Sequence, residues 1–166
     1  MDKQKTKLLL ACGKIASGKS TLLSKLSSKH EAILISQDQW MATLYPDELK
    51  TLRDYVKYTD RLKQALRPHI VDLLKQGLSV ALDFPANTKQ DRAWMQGIYK
   101  ETDITHELHY LNVPDEACKE RLHQRNQSGQ HHYTVSEEQF NQFTAYFQRP
   151  SKEEGFNVIQ HDFQPA

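Results

Sequence analysis

The chain reads as an α/β protein: a three-layer sandwich with a five-stranded parallel sheet in order 2-3-1-4-5, helices on both faces, and a lid. Two observations carry this expectation. Short runs rich in Leu, Ile and Val alternate with longer, polar, helix-like segments. Those segments are long enough to serve as the crossover helices that parallel strands require. No repeat and no linker splits residues 1–166, a length suited to one domain.

Taken in order, Lys7–Cys12 is the first strand, and a helix over Lys19–His30 follows a glycine-bearing turn. Ala32–Ile35 is the second strand. Residues 39–76 form a helical insert on the acceptor side, with its main helix over Glu48–Gln76, a break admitted, and Gly77 past its end. Leu78–Leu82 is the third strand, Thr88–Lys100 a helix, and Thr105–Val113 the fourth strand. Pro114 opens a helix over Pro114–Asn126, and Ser136-Glu-Glu-Gln139 has capping-box spacing at the start of a helix over Ser136–Gln148. Phe156–Gln160 is a weaker fifth strand, whereas the first four have the continuous apolar character of strands covered on both faces.

Composition narrows the partners. Lys plus Arg total 22 and Asp plus Glu 21, so a net charge of +1 gives no general attraction to nucleic acid or acidic membrane. The longest apolar run, Leu8–Cys12, is far short of the ~20 residues a bilayer span needs. Cys12 and Cys118 are distant and form no CxxC, which implies neither a disulfide framework nor a zinc site. The charged N-terminus leads into an apolar stretch too short for a signal peptide. A reduced, cytoplasmic protein, monomeric or weakly dimeric, is the expectation.

In a sheet of this kind ligands sit at the carboxyl ends of the strands. Immediately after the first strand, Gly13-Lys-Ile-Ala-Ser-Gly-Lys-Ser20 matches G-x-x-x-x-G-K-[ST] in full and opens a helix, the context that motif demands. Glycines let the backbone curl with its N–H groups inward around phosphate oxygens, and the helix N-terminus adds partial positive charge. Gly13, Lys14, Ile15, Ala16, Ser17, Gly18, Lys19, Ser20 and Thr21 are therefore the nucleotide-binding set. Lys19 reaches the β- and γ-phosphates and Ser20 ligates Mg²⁺. Lys14 reads as solvated rather than catalytic.

Asp83 ends the third strand, where a P-loop protein has its second magnesium ligand; one Ser and one Asp suffice for an ion that keeps several waters. Asp38 follows the second strand. In a 2-3-1-4-5 sheet it lies beside the phosphate loop, able to accept the proton of a substrate hydroxyl as the γ-phosphoryl moves; the alternative is a helix N-cap. Arg121 and Arg125, spaced i,i+4, share a helix face leading into a polar lid over about 121–135, and closure brings guanidinium charge onto the transferring phosphate.

Other features read as structural. His123, His131 and His132 have no metal-site spacing, and His106 and His109 face opposite sides of one strand. Trp40, Tyr45, Tyr55 and Tyr58 read as packing of the insert, with stacking on a substrate as the alternative. Arg53, Arg61 and Arg67 are either an anionic-acceptor site or surface charge.

Together Gly13–Ser20, Ile35-Ser-Gln-Asp38, Leu82-Asp83-Phe-Pro-Ala-Asn87 with Arg92, Arg121–Asn126 and the tail Tyr146–Pro150 with Glu154-Gly-Phe156 resemble the small P-loop kinases. That group holds polynucleotide 5′-hydroxyl kinases, zeta-type toxins, chloramphenicol phosphotransferase and bacterial AAA-family predicted kinases, and the last are the most similar. The resemblance implies the P-loop NTPase fold, ATP with Mg²⁺, a base at Asp38 and lid arginines at Arg121 and Arg125. Polynucleotide kinases of this type carry an arginine three residues after the base, where this chain has Met41. An ATP-dependent kinase acting on a small-molecule hydroxyl is thus the expectation, ahead of a polynucleotide 5′-hydroxyl kinase or a nucleotide-binding switch without an acceptor.

Overall fold

The structure is a computed structural model that describes residues 6–129 and 134–165. Part of the expected lid, with His131 and His132, lies outside the described residues. The elements run β1 (Lys7–Cys12), α1 (Lys19–Lys29), β2 (Ile33–Ser36), α2 (Gln37–Leu44), α3 (Leu52–Lys75), β3 (Val80–Asp83), α4 (Lys89–Thr102), β4 (Thr105–Asn112), α5 (Asp115–Ser128), α6 (Glu137–Ala145), a 3₁₀ turn (Lys152–Glu154) and β5 (Val158–Asp162). Five strands form one sheet in the order β2-β3-β1-β4-β5, every pairing parallel.

Alternate residues of the central strands feed opposite layers. Leu8, Leu10, Val80, Leu82 and Leu108 join Met41 of α2, Leu62, Leu66, Ile70 and Leu74 of α3, and Met95 and Ile98 of α4 in the larger core cluster. Leu9, Ala11 and Ala81 point the other way onto Leu23 and Leu26 of α1. A third cluster joins Cys118 and Leu122 of α5 to Phe140 of α6 beneath Val113. Both cysteines are free and buried. Among the described residues, no helix is long and apolar enough to cross a membrane.

Three local expectations are corrected. β2 is an edge strand, so Ile33 and Leu34 keep 39% and 40% of their surface exposed rather than being covered on both faces. The insert holds two helices. Gln37–Leu44 is helical from the end of β2, capped by Ser36, whose side chain accepts the Gln39 N–H. Its eight residues are too few to show a period by sequence. The second helix is unbroken from Leu52, where Thr51 and Asp54 make a capping box, through Pro68. Pro68 removes one N–H from the ladder, and the carbonyl left over belongs to exposed Gln64, open to water.

β4 and β5 are also joined by side chains. His109 Nδ1 lies 2.8 Å from His161 Nε2, and His109 Nε2 lies 3.0 Å from a Glu107 oxygen whose partner oxygen holds Lys7 Nζ at 2.8 Å. An N···N contact needs one N–H donor and one bare nitrogen. Burial pushes the His109 pKa below its ordinary 6.5; Glu107 opposes this, while His161 and His30 add to it. Burial also lowers His106. The unfolded chain therefore binds more protons than the folded one just below the ordinary histidine value. Stability is full above that value and falls as pH drops through it. We expect the melting temperature to fall between pH 7.5 and pH 5.5. His109→Gln should flatten that stretch of the profile in calorimetry, and an equally steep profile would exclude the pair as its source.

Candidate phosphate and metal site

The turn between β1 and α1 is shaped by its backbone. Ala16 and Gly18, on either side of Ser17, have φ of 62° and 103°, left-handed positions that turn the N–H groups of this segment inward. Gly18 caps α1 without any side-chain hydrogen bond, so the N–H groups of the first helical turn face the turn itself. Gly13 is sterically required: a Cβ there would lie 2.5 Å from Ser17 Oγ and 3.3 Å from the Leu111 carbonyl oxygen. Lys19 Nζ donates to the Gly13 carbonyl at 2.8 Å. Burial pushes its pKa down, while nearby Asp83 and Asp38 favour the charged form. Ser17 Oγ is buried with no hydrogen-bond partner. Lys14 is not solvated as expected: it is half-buried, paired with Asp115 at the start of α5, with its ammonium 5.9 Å from the Phe147 ring centre.

Across the cleft, Ser20 Oγ donates to Asp83 Oδ2 at 2.7 Å. Two hard oxygens thus adjoin the N–H-lined turn, the donor type magnesium selects. Among the described residues no group of three or more His, Cys, Asp and Glu could hold a metal. Ser36 pairs in register with Asp83, which brings the first turn of α2 and its Asp38 to the same end of the sheet. Ser36, not Asp38, is the N-cap. Gln37, buried beside it, donates to the Tyr55 hydroxyl at 2.8 Å and ties α2 to α3.

Of the two α5 arginines, Arg121 reaches the turn. Arg121 Nη1 donates to the Ser17 carbonyl at 3.1 Å. The Arg125 Nε is buried without a hydrogen-bond partner; burial lowers its pKa, and the charge of Asp38 opposes that shift. Arg121 also lies 5.6 Å from the Phe163 ring centre. Around that contact is a depression of about 440 Å³, lined by Ala117, Glu120, Arg121, Gln124, Phe163, Gln164 and Pro165. Of the insert aromatics, Tyr45, Tyr55 and Tyr58 pack on the core and Trp40 keeps 42% exposure. Met41 is buried in the core. Arg67 pairs with Glu101, and Arg61 lies over the Tyr58 ring.

Sequence patterning does not assign a task to Phe163 or Asn87. Phe163 follows β5, whose alternation is too weak to direct attention there. Asn87 and Arg92 stand out only through the segments that carry the family resemblance. Arg92, fully buried, holds Glu154 through Nε at 2.7 Å and Nη2 at 3.2 Å and the Ala86 carbonyl at 2.8 Å, which ties the segment after α6 to the connection after β3.

A family model described as an AAA domain matches residues 8–150. No curated protein matches the sequence. Among solved structures, a provisional kinase from Chloroflexus aurantiacus aligns with a TM-score of 0.74 at 19% identity, over 96% of this chain and 89% of that one. A gluconokinase from Sinorhizobium meliloti 1021 aligns at 0.63 and 16% identity, over 99% and 86%. An APS kinase from Mycobacterium tuberculosis, solved with AMPPNP and APS, aligns at 0.59 and 17%, over 97% and 90%. These likenesses establish the P-loop fold.

Proposed function

The chain belongs to this AAA domain family, and from that membership we propose that it is an ATP-dependent kinase that moves the γ-phosphoryl group to a hydroxyl of a small-molecule acceptor. The observation that carries the reading is the Ser20–Asp83 oxygen pair beside one N–H-lined turn, with Asp38 brought to the same end of the sheet and Arg121 bound to the Ser17 carbonyl of the turn. Phosphoryl transfer asks a protein mainly for positioning and charge neutralisation, and each need has a candidate here. The turn amides and Lys19 hold the phosphates. Ser20 and Asp83 hold Mg²⁺, which when bound offsets charge on the phosphate oxygens. Asp38 orients the acceptor hydroxyl and takes its proton. Arg121 and Arg125 supply positive charge to the transferring group. The depression around Arg121 and Phe163 offers an aromatic and cationic wall for the nucleobase. The fold of kinases with varied acceptors supports the reaction class, not the acceptor.

Burial of Met41 favours a small acceptor over a polynucleotide end, because that position presents no cation to a 5′ terminus. The test incubates the protein with radiolabelled ATP and magnesium against a panel of hydroxyl-bearing metabolites and antibiotics, with a 5′-hydroxyl oligonucleotide at several salt concentrations as a separate arm. Label transfer to a small molecule supports the reading. Label on the oligonucleotide, with a steep salt slope, replaces it with the polynucleotide reaction. Hydrolysis that no acceptor alters marks a nucleotide-dependent switch.

A further inference from the structure

We infer that Asn87 is a positioning residue that holds the phosphate turn against the metal-side strand; this rests on nucleotide binding at that turn, as proposed above. Asn87 lies on the connection that leaves β3 after Asp83. Its Oδ1 accepts the Gly13 N–H at 3.1 Å and faces Cys12 Sγ at 3.8 Å. Its own carbonyl accepts the Gln148 N–H at 2.8 Å, and the preceding residue, Ala86, is held by buried Arg92. The amide is therefore fixed before it meets the turn.

Gly13 is the residue that most needs an external hold. It has no side chain of its own, and steric crowding forbids one. Its N–H is held by Asn87 and its carbonyl by Lys19. Rotation about this residue would re-aim every N–H that follows, and a ring of N–H donors binds phosphate only while the donors converge. The Asn87 bond links the turn to the strand that carries Asp83. Phosphate geometry and magnesium geometry are thereby set by one connection rather than separately.

Asn87→Ala should weaken binding of magnesium–ADP by about 3- to 10-fold, the range expected when one hydrogen bond is lost. Adenosine, which has no phosphate, should bind as it does to the unaltered protein. Titration calorimetry gives both constants. Amide hydrogen exchange should show Gly13 exchanging faster while Leu8–Ala11 of β1 stay protected. Asn87→Ser, too short to reach Gly13, is the second variant should alanine impair folding, and the same pattern is expected. Equal losses for ADP and adenosine, unchanged ADP affinity, or unchanged Gly13 exchange would overturn the assignment. Failure of the kinase reading looks different: a protein that binds ADP through Asn87 but labels no acceptor loses the reaction and keeps this contact.

Discussion

Asp38→Asn should lower phosphoryl transfer by roughly 10²- to 10⁴-fold, the usual contribution of a positioned proton acceptor, while nucleotide binding stays within about threefold. The substitution keeps shape and removes only charge and basicity. Two neighbours anchor α2 independently of the carboxylate. Ser36 caps α2, and Gln37 ties the helix to Tyr55. The loss to the helix includes the favourable contact of one negative charge with its N-terminal dipole, worth about 0.3–1 kcal/mol. A fall in turnover without loss of fold is therefore the signature of the base. The measurement pairs a transfer assay on the identified acceptor with calorimetric binding of a non-hydrolysable ATP analogue. Undiminished transfer would remove Asp38 from the reaction and leave it as a first-turn helix charge.

The second large effect is on stability. Arg92→Ala should cost about 3–5 kcal/mol, because it strips one partner from a buried ion pair. Against a typical total of about 5–15 kcal/mol this is a large share, equivalent to a drop of roughly 10 °C in melting temperature. Burial acts to raise the Glu154 pKa, but its bonds to Arg92 and Ser151 outweigh that and hold the carboxyl below its ordinary value. With the guanidinium gone, Glu154 keeps only the Ser151 N–H at 2.8 Å and hydroxyl at 3.2 Å. Arg92→Lys should recover the charge but only part of the stability, since an ammonium cannot span Glu154 and the Ala86 carbonyl as the planar fork does. Denaturant unfolding measures both variants. Full stability in the lysine variant would show that charge alone, not the fork, makes the connection.

The parts of the molecule legible in the sequence are those written in contiguous residues. β1, β3 and β4 announce themselves because central parallel strands are covered on both faces, and the phosphate turn because its tasks fall within eight successive positions. Edge position is not written that way: β2 differs from β3 only in its neighbours, so the exposure of Ile33 and Leu34 follows from the sheet order. α2 buries only Gln37 and Met41, too little for a period to show. Asp38 is legible as a residue after a strand, yet its place at the same end of the sheet as Asp83 depends on the register of β2 with β3. Asn87 meets Gly13 across 74 positions and Arg92 meets Glu154 across 62, separations that no local pattern encodes.

The Arg92–Glu154 tie also bears on how the protein comes into being. Glu154 lies beyond residues 8–150, the stretch the AAA domain model covers. During synthesis the phosphate turn and its strand are made early, but the buried Arg92 guanidinium, which the Ala86 carbonyl already meets, lacks its carboxylate until the last turn before β5 follows. The connection after β3 therefore gains its full set of contacts only when residues of the segment after α6 are present, however early the strands themselves are made.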